Sequence, residues 1–315
     1  MNETNSSALV LYLNRVNAEL AKYGSPLFAV IGFISNLFAC ICLPLHHKHV
    51  NRHTMYLTVL AFVELMFNII WFWLLLIPMH SFKLNHYFNQ NKIFCKIYGA
   101  LMQFCLGLAF NIILAMSVDR CVAFQEPIRS RNWKAKSALF ISLAVCCADL
   151  ILSLPFSFVY TITNNWSTGN ICIPYYENKI SKHLFTWFQI LINPNGMVII
   201  IAMFIANITL VINLASHYRN RELLLCDIKI NPSQKLKAKR KEFRSSMQII
   251  ALSLVFLILT SSINISYIIW MFTDSEITFE LVQIFSSLFL FQQNCLFIGY
   301  FFRTVKKLIS KTFRY

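Results

Sequence analysis

Apolar residues in this chain run together instead of alternating with polar ones. Seven predominantly apolar stretches, near residues 24–45, 54–79, 94–124, 136–160, 183–215, 240–272 and 278–302, are separated by polar segments. Each is long enough to cross a hydrocarbon core about 30 Å thick, which takes about 20 residues of helix. The pattern predicts an all-α membrane protein, a bundle of seven transmembrane helices. The sixth is expected to begin in its basic flank, as an amphipathic extension below the membrane. After the last run, Arg303, Lys306, Lys307 and Lys311 interleave with Val305, Leu308, Ile309 and Phe313 at helical spacing. That pattern predicts a short amphipathic helix lying in the inner interface over residues 303–315. The chain thus divides into a polar amino terminus (1–23), a bundle (24–302) and an interfacial tail (303–315). It shows no internal repeat, low-complexity segment or soluble domain.

Composition agrees: 57% of residues are hydrophobic and 13% are charged, where a soluble domain carries about 25% charged residues. The formal charge of +15 matters through its placement. With the amino terminus outside, 20 Lys and Arg fall in inner loops, flanks and tail, and seven fall outside. Positive-inside bias therefore favours an extracellular amino terminus in a multi-pass plasma-membrane protein. The basic segments then face anionic inner-leaflet lipid, and no nucleic-acid partner is expected. Residues 1–23 lack a basic region followed by an apolar core, so no cleavable signal is expected. Sequons at Asn2, Asn5 and Asn165 fall on the outer side in this topology, giving a glycosylated amino terminus and a glycosylated fourth-to-fifth loop. The sequons at Asn207 and Asn264 fall inside spans, where no glycan can be added.

Of ten cysteines, only Cys95 and Cys172 fall on the outer side. In an oxidising compartment they have one possible pairing, which would tie the long outer loop to the top of span three. The alternative is two free thiols. Few ionisable residues lie deep. Glu64 is the acid at mid-depth in span two, Asp149 in span four has no evident partner and no assigned role, and the Asp119-Arg120 pair ends span three. Charges at such depth are read first as functional.

These residues carry a resemblance that covers nearly the whole chain. Cys95 precedes Arg120 by 25 residues, and Pro127 follows Arg120 by seven. Span one holds Gly32-Phe33-Ile34-Ser35-Asn36 and span two Leu60-Ala61-Phe62-Val63-Glu64, with Pro155 and Pro194 in spans four and five. In these registers the chain resembles the rhodopsin-like (class A) G-protein-coupled receptors. Its amino-terminal third is loosely similar to invertebrate neuropeptide receptors. There are departures. Glu64 replaces an aspartate, Val145 and Cys146 stand near the span-four tryptophan position, and Phe256 alone remains of the span-six motif. Ala202 and Ile298 replace tyrosines, and Asn294 alone remains of Asn-Pro-x-x-Tyr.

The resemblance implies an extracellular ligand, a heterotrimeric G protein as inner partner, and no catalytic residue, cofactor or metal. It places Asp119 and Arg120 at the coupling face, with Asp119 able to hold Arg120 inward by a charge-assisted bond. Glu242 stands at the span-six position whose acid closes an ionic lock on the arginine; the bland alternative is that Glu242 dilutes a basic run. Asn36, Glu64 and Asn294 would form a polar cluster between spans one, two and seven, where either a sodium ion or a proton on Glu64 could reside. Ala109, Leu290 and Phe291 replace polar partners there. Met102 holds the position where amine receptors carry an aspartate, and Leu288 holds the retinal-attachment position, which argues against an amine ligand and against an opsin. Tyr98, Met102, Gln103, Trp187, Asn264, Tyr267 and Gln283 are the pocket candidates, with a peptide or a lipid-like ligand favoured; residues of these types are more often packing than ligand contacts.

Three other readings remain open. The missing tyrosines would suit a receptor-like decoy that binds ligand without coupling. A seven-span zinc enzyme would need clustered His and Asp at one face. His46, His47, His49 and His53 are near each other, but in a short basic loop without a cleft. A transporter would need a polar path or broken helices at the midplane, and only Glu64 and Asp149 lie deep.

Overall fold

The computed structural model describes residues 3–46, 52–72, 90–126, 133, 135–165, 169–174 and 196–224, with isolated positions at 83, 87, 183, 184, 187 and 188 and parts of 247–288. The first half of the fifth apolar run, nearly all of the seventh and the interfacial tail over 303–315 lie outside the described residues. Helices are numbered α1 (Glu3–Glu19), α2 (Ser25–His46), α3 (Arg52–Trp71), α4 (Lys92–Gln125), α5 (Ala135–Val159) and α6 (Met197–Leu224). A shorter apolar helix, α7, covers Ser253–Ser266. Among the described residues five helices are long and apolar enough to cross a membrane, over Leu9–Leu45, Arg52–Trp71, Lys92–Gln125, Ala135–Val159 and Met197–Ser216. They correspond to the first five runs read from the sequence. The end of the bundle bearing Cys95 is called the upper end and that bearing Arg120 the lower.

The helices are inverted relative to those of soluble proteins. α5 buries Ala138, Ser142, Asp149, Ser153 and Phe156, while Phe140, Leu143, Ile151, Leu154 and Phe158 are exposed. A helix that turns its polar stripe inward and its large apolar side chains outward has lipid as its solvent. α2 does likewise, exposing Leu27, Val30, Ile34, Leu37, Ile41 and Leu45 at three- and four-residue spacing. Inside, Leu60 of α3, Ile112, Ile113 and Met116 of α4, Ala138 of α5 and Leu210 of α6 form one fully buried core. Buried hydroxyls turn back on their own helices, as Ser117 does to the Ile113 carbonyl at 3.0 Å and Ser142 to Ala138 at 2.9 Å.

α4 is the central helix, and its ends are written in local chemistry. The Asn91 side chain caps it by accepting from the backbone N–H of Ile93 (3.1 Å) and Phe94 (3.2 Å), which satisfies two otherwise orphaned donors. At the lower end the Glu126 N–H closes on Val122 at 2.8 Å. Pro127 follows and disfavours helical geometry in the residue before it.

Two features depart from the sequence reading. The first is an antiparallel hairpin after α5 in an otherwise helical bundle, β1 (Tyr160–Asn165) and β2 (Gly169–Pro174), with Ile162 opposite Cys172. Tyr160, Thr161, Ile162 and Thr163 are β-branched or aromatic, and Thr161 and Thr163 interrupt the apolar run of α5. The hairpin is drawn to α4 because Gly99 lacks a side chain: the Tyr160 ring lies where a Cβ on Gly99 would stand.

The second departure is at the amino terminus, read from sequence only as a polar segment. It is helical from Glu3, and a π-helical turn over Leu20–Gly24 leads directly into α2. No proline or glycine interrupts residues 3–23, and Ala8, Leu9, Leu11 and Leu13 are strong helix formers. The π turn has a cause in Pro26, which has no N–H to donate. The Ser25 N–H before it bonds to Leu20, five residues back, which widens the helix at the junction.

α1 is pinned as well as continuous. Asn17 donates its amide to a carboxylate oxygen of Glu280 and to the Glu280 carbonyl at 3.3 Å. Asn14, with its amide nitrogen assigned toward the acid, donates to the other carboxylate oxygen at 2.7 Å. Glu280 is buried, and it opens the seventh apolar run. Bonds to a charged acceptor contribute about 1.5–3 kcal/mol each. Glu280→Ala should therefore free α1, seen as at least tenfold faster amide exchange over residues 9–19; unchanged exchange would show that α1 stands without the anchor.

Candidate functional site

The lower end of α4 brings together the charges that the sequence reading singled out, with one unforeseen partner. Asp119 is buried and forms an ion pair with Arg52, the first residue of α3; their side chains are 6% and 11% exposed. Asp119 was expected to hold Arg120. The partner in the described ion pair, Arg52, lies across a helix interface, because α3 and α4 pack along their lengths and its long side chain reaches the acid. The Arg52 guanidinium also stacks over the Trp133 ring, 4.2 Å from its centroid. Arg120 is half-buried one residue on, close enough for its charge to act on Arg52. Tyr56, one turn along α3, is fully buried, and its hydroxyl has no hydrogen-bond partner among the described residues. Glu242 lies outside the described residues, so the lock on Arg120 is not described from its side.

Two neighbouring contacts tie the surrounding helices together. The Cys121 thiol donates to the Ala206 carbonyl of α6 at 3.4 Å. Ser253 of α7 donates to Asn207 Oδ1 of α6 at 2.5 Å, both residues buried. The thiol, the amide and the hydroxyl thus connect α4 to α6 and α6 to α7.

At mid-depth, Glu64 and Asn36 are each 0% exposed. Neither carboxylate oxygen of Glu64 and neither amide atom of Asn36 has a hydrogen-bond partner among the described residues. One turn up, Asn68 donates to the Glu64 backbone carbonyl at 2.8 Å. Asn294, the third member expected of this cluster, lies outside the described residues. A second polar contact escaped the sequence reading. Asp149, left without a partner there, accepts from Asn111 of α4 at 2.7 Å, with Ser153 buried one turn away. Asn111 is an isolated polar residue in an apolar span, which was the available signal. Its opposite number could not be named without the packing of α4 on α5.

Glu64 yields a prediction. An isolated buried carboxylate is costly, and glutamine reproduces its shape without the charge. Glu64→Gln should leave surface expression within twofold, and raising sodium should change radioligand affinity by less than about twofold in either protein. A sodium effect present in wild type and abolished by the substitution would identify a cation site instead.

The upper pocket candidates are only partly brought together. Met102 packs with Phe67, Trp71 and Cys105, a small apolar cluster uniting α3 and α4 that also takes in Ala29 of α2. Phe67 and Trp71 were not among the candidates, although Trp71 stands in an aromatic Trp-Phe-Trp run. Tyr98 and Gln103 are half-buried on α4. Trp187 is 48% exposed, while its neighbour Phe188 meets Phe156 of α5 at 6.1 Å between ring centroids. Asn264 is half-buried and turns its amide onto the Thr260 carbonyl of its own helix at 3.1 Å. Tyr267 and Gln283 lie outside the described residues, as do Asn2 and the side chains of Asn5, Asn165 and Cys172. Cys95 is buried in the first turn of α4 and is disulfide-bonded. Among the described residues no group of three or more His, Cys, Asp or Glu is placed to hold a metal.

A polytopic helical bundle with a buried acid and an arginine at one end of its central helix is the architecture of a membrane receptor. Residues 35–296 match the family described as "7 transmembrane receptor (rhodopsin family)", and the chain belongs to it. It is similar to human atypical chemokine receptor 4, 27% identical over 55% of this chain and 47% of that protein. It is also similar to human G-protein coupled receptor 68, 20% identical over 60% of this chain and 51% of that protein. A third relative is the annetocin receptor of Eisenia fetida, 18% identical over 41% of this chain and 32% of that protein. The chain thus spans about half the length, or less, of these relatives.

Proposed function

We propose that this receptor is a seven-helix G-protein-coupled receptor of the plasma membrane that transmits the binding of an extracellular ligand to a heterotrimeric G protein. In this reading the upper end is extracellular, with glycans at Asn2, Asn5 and Asn165, and residues 303–315 form the inner interfacial helix. The observation that carries it is the lower end of α4, where Arg120 stands half-buried beside an acid already paired to another cation. Nothing in packing alone calls for two arginines around one carboxylate at a membrane boundary. An arginine that a G protein can engage gives the arrangement a use. Ligand binding shifts a pre-existing equilibrium by its differential affinity for the two states.

The ligand class follows from the upper cluster. Met102 is committed to apolar packing against Phe67 and Trp71, so no counter-charge for an amine stands there. A peptide or a lipid-like ligand suits such walls, and a relative named for a chemokine supports the first. A ligand screen read by G-protein dissociation, with Arg120→Ala as its silent control, tests the reading.

A second reading, a decoy that binds ligand and does not couple, is favoured by Ala202, half-buried in α6 where the family carries a tyrosine, and by the relative named as atypical. Ligand internalisation without G-protein dissociation in any class would decide for it.

A further inference from the structure

Where α6 meets α7, a hydroxyl and an amide face each other in apolar surroundings. The buried neighbours of Asn207 along α6 are Met203, Ala206, Leu210 and Leu214, and Ser253 stands between buried Ile250 and half-buried Leu257. The Ser253 hydroxyl has two acceptors within reach: Asn207 Oδ1 on α6 at 2.5 Å, and the Ile250 carbonyl, three residues back in its own segment, at 3.1 Å. Its single proton therefore chooses between a bond across the helices and one that needs no neighbouring helix. The Asn207 amide is half used, because its buried Nδ2 has no partner among the described residues. The residue before it fixes its height: the Ala206 carbonyl accepts from the Cys121 thiol of α4 at 3.4 Å. Cys121 follows Arg120 in the chain, so the Ser253–Asn207 bond stands close to the level of that arginine.

We infer that the Ser253–Asn207 bond is a latch that holds the lower half of the bundle closed beside Arg120, and that the Ile250 carbonyl takes the hydroxyl when the latch opens. This deepens the coupling reading above and rests on it. Between helices in lipid, burial of apolar surface supplies little attraction, so one interhelical hydrogen bond carries a large share of the preference for contact. Opening strands nothing on α7, since the Ser253 hydroxyl keeps Ile250. On α6, a seam opened near the inner boundary admits water, and Nδ2 gains a partner. Closed and open arrangements are thus both satisfied at Ser253, which makes the pair a two-position element and not a fixed strut. The latch acts on the separation of the helices, whatever Arg120 contacts at rest.

The test reads ligand-independent G-protein dissociation as a slope against surface expression. Ser253→Ala removes one oxygen and Asn207→Leu keeps the bulk of the amide, so both spare the packing. Each should raise the slope about threefold, and at most about twentyfold, the range of single hydrogen bonds between membrane helices. The double variant should match the larger single one, because the same bond is lost in each. Residues that merely supported the fold would show effects that multiply. A second measurement needs no G protein. The Cys121 thiol is buried in the same cluster as Ile250, so an opened seam exposes it. Its labelling by N-ethylmaleimide, read by peptide mass spectrometry, should be about threefold faster in Ser253→Ala than in wild type. With a measurable wild-type slope, unchanged slopes in both single variants, multiplied effects in the double one, or unchanged Cys121 labelling overturn the inference while the coupling reading stands. Faster labelling with no slope in any G-protein class removes the coupling reading, and with it the latch's part in signalling, but not the latch.

Discussion

Arg120→Ala is expected to abolish G-protein activation at matched surface expression while leaving ligand affinity within about threefold of wild type. The separation follows from distance along α4: Arg120 lies near its lower end, and Met102 and Gln103 are about five turns above, close to 27 Å at 1.5 Å per residue. Truncation removes a half-buried guanidinium without emptying the core, because the neighbouring Met116 and Ser117 keep their buried places. The resting state is restrained from another side. With Asp119 paired to Arg52, the acid proposed to close on Arg120 is Glu242 of span six. A partly desolvated charged pair of this kind biases a two-state equilibrium by about 1–3 kcal/mol, or roughly 5- to 150-fold. Glu242→Gln should therefore raise ligand-independent activity within that range, and Arg120→Ala in the same chain should return it to background. Normal signalling by Arg120→Ala would make the arginine an interface anchor and remove the basis for the coupling reading.

How much of this was legible in one sequence depended on whether the information was local. The apolar runs placed α2 to α6 to within a few residues over most of their ends, because crossing a membrane demands contiguous apolar sequence and little else does. Both ends of α6, Met197 and Leu224, and the early end of described α3 at Trp71 differ more. The helix at residues 3–19 was missed because its polar composition suits an exposed tail equally well; what holds it is Glu280, more than 250 residues away. The hairpin was missed because Tyr160 continues the apolar character of α5 while its backbone has already become extended. Depth and identity of the ionisable residues were readable, but their partners were not. Asp119 was assigned to the arginine next to it, and Asp149 to none. The described contacts, Arg52 with Asp119 and Asn111 with Asp149, run between helices whose mutual rotation no single sequence states. Arg52 had been counted only as one of the inner basic residues that set topology. Both descriptions hold, since one side chain can orient the chain and pair with a buried acid.

Cys95 offers the largest expected effect on folding. It is buried at the first turn of α4, directly after the Asn91 cap, and it is disulfide-bonded. Six other cysteines are free: 40, 42, 105, 121, 146 and 147. Of the three that remain, Cys172 alone stands in a described element, β2, which pairs with a β1 strand seated on α4 at Gly99. That arrangement supports Cys172 as the partner. Closing a loop of this length restricts the unfolded chain by about 4 kcal/mol in the chain-entropy account, a large part of the stability of a single domain. Cys95→Ser and Cys172→Ser should each lower surface expression about tenfold or more. The double variant should be no worse than either single one, since one bond is lost in all three. Non-reducing digestion of surface receptor, followed by mass spectrometry, should recover a peptide around Cys95 joined to one around Cys172. Recovery of Cys172 as a free thiol would reassign the bond and release the hairpin from any covalent hold on the third span, leaving the Tyr160 ring on Gly99 as the contact that keeps it there.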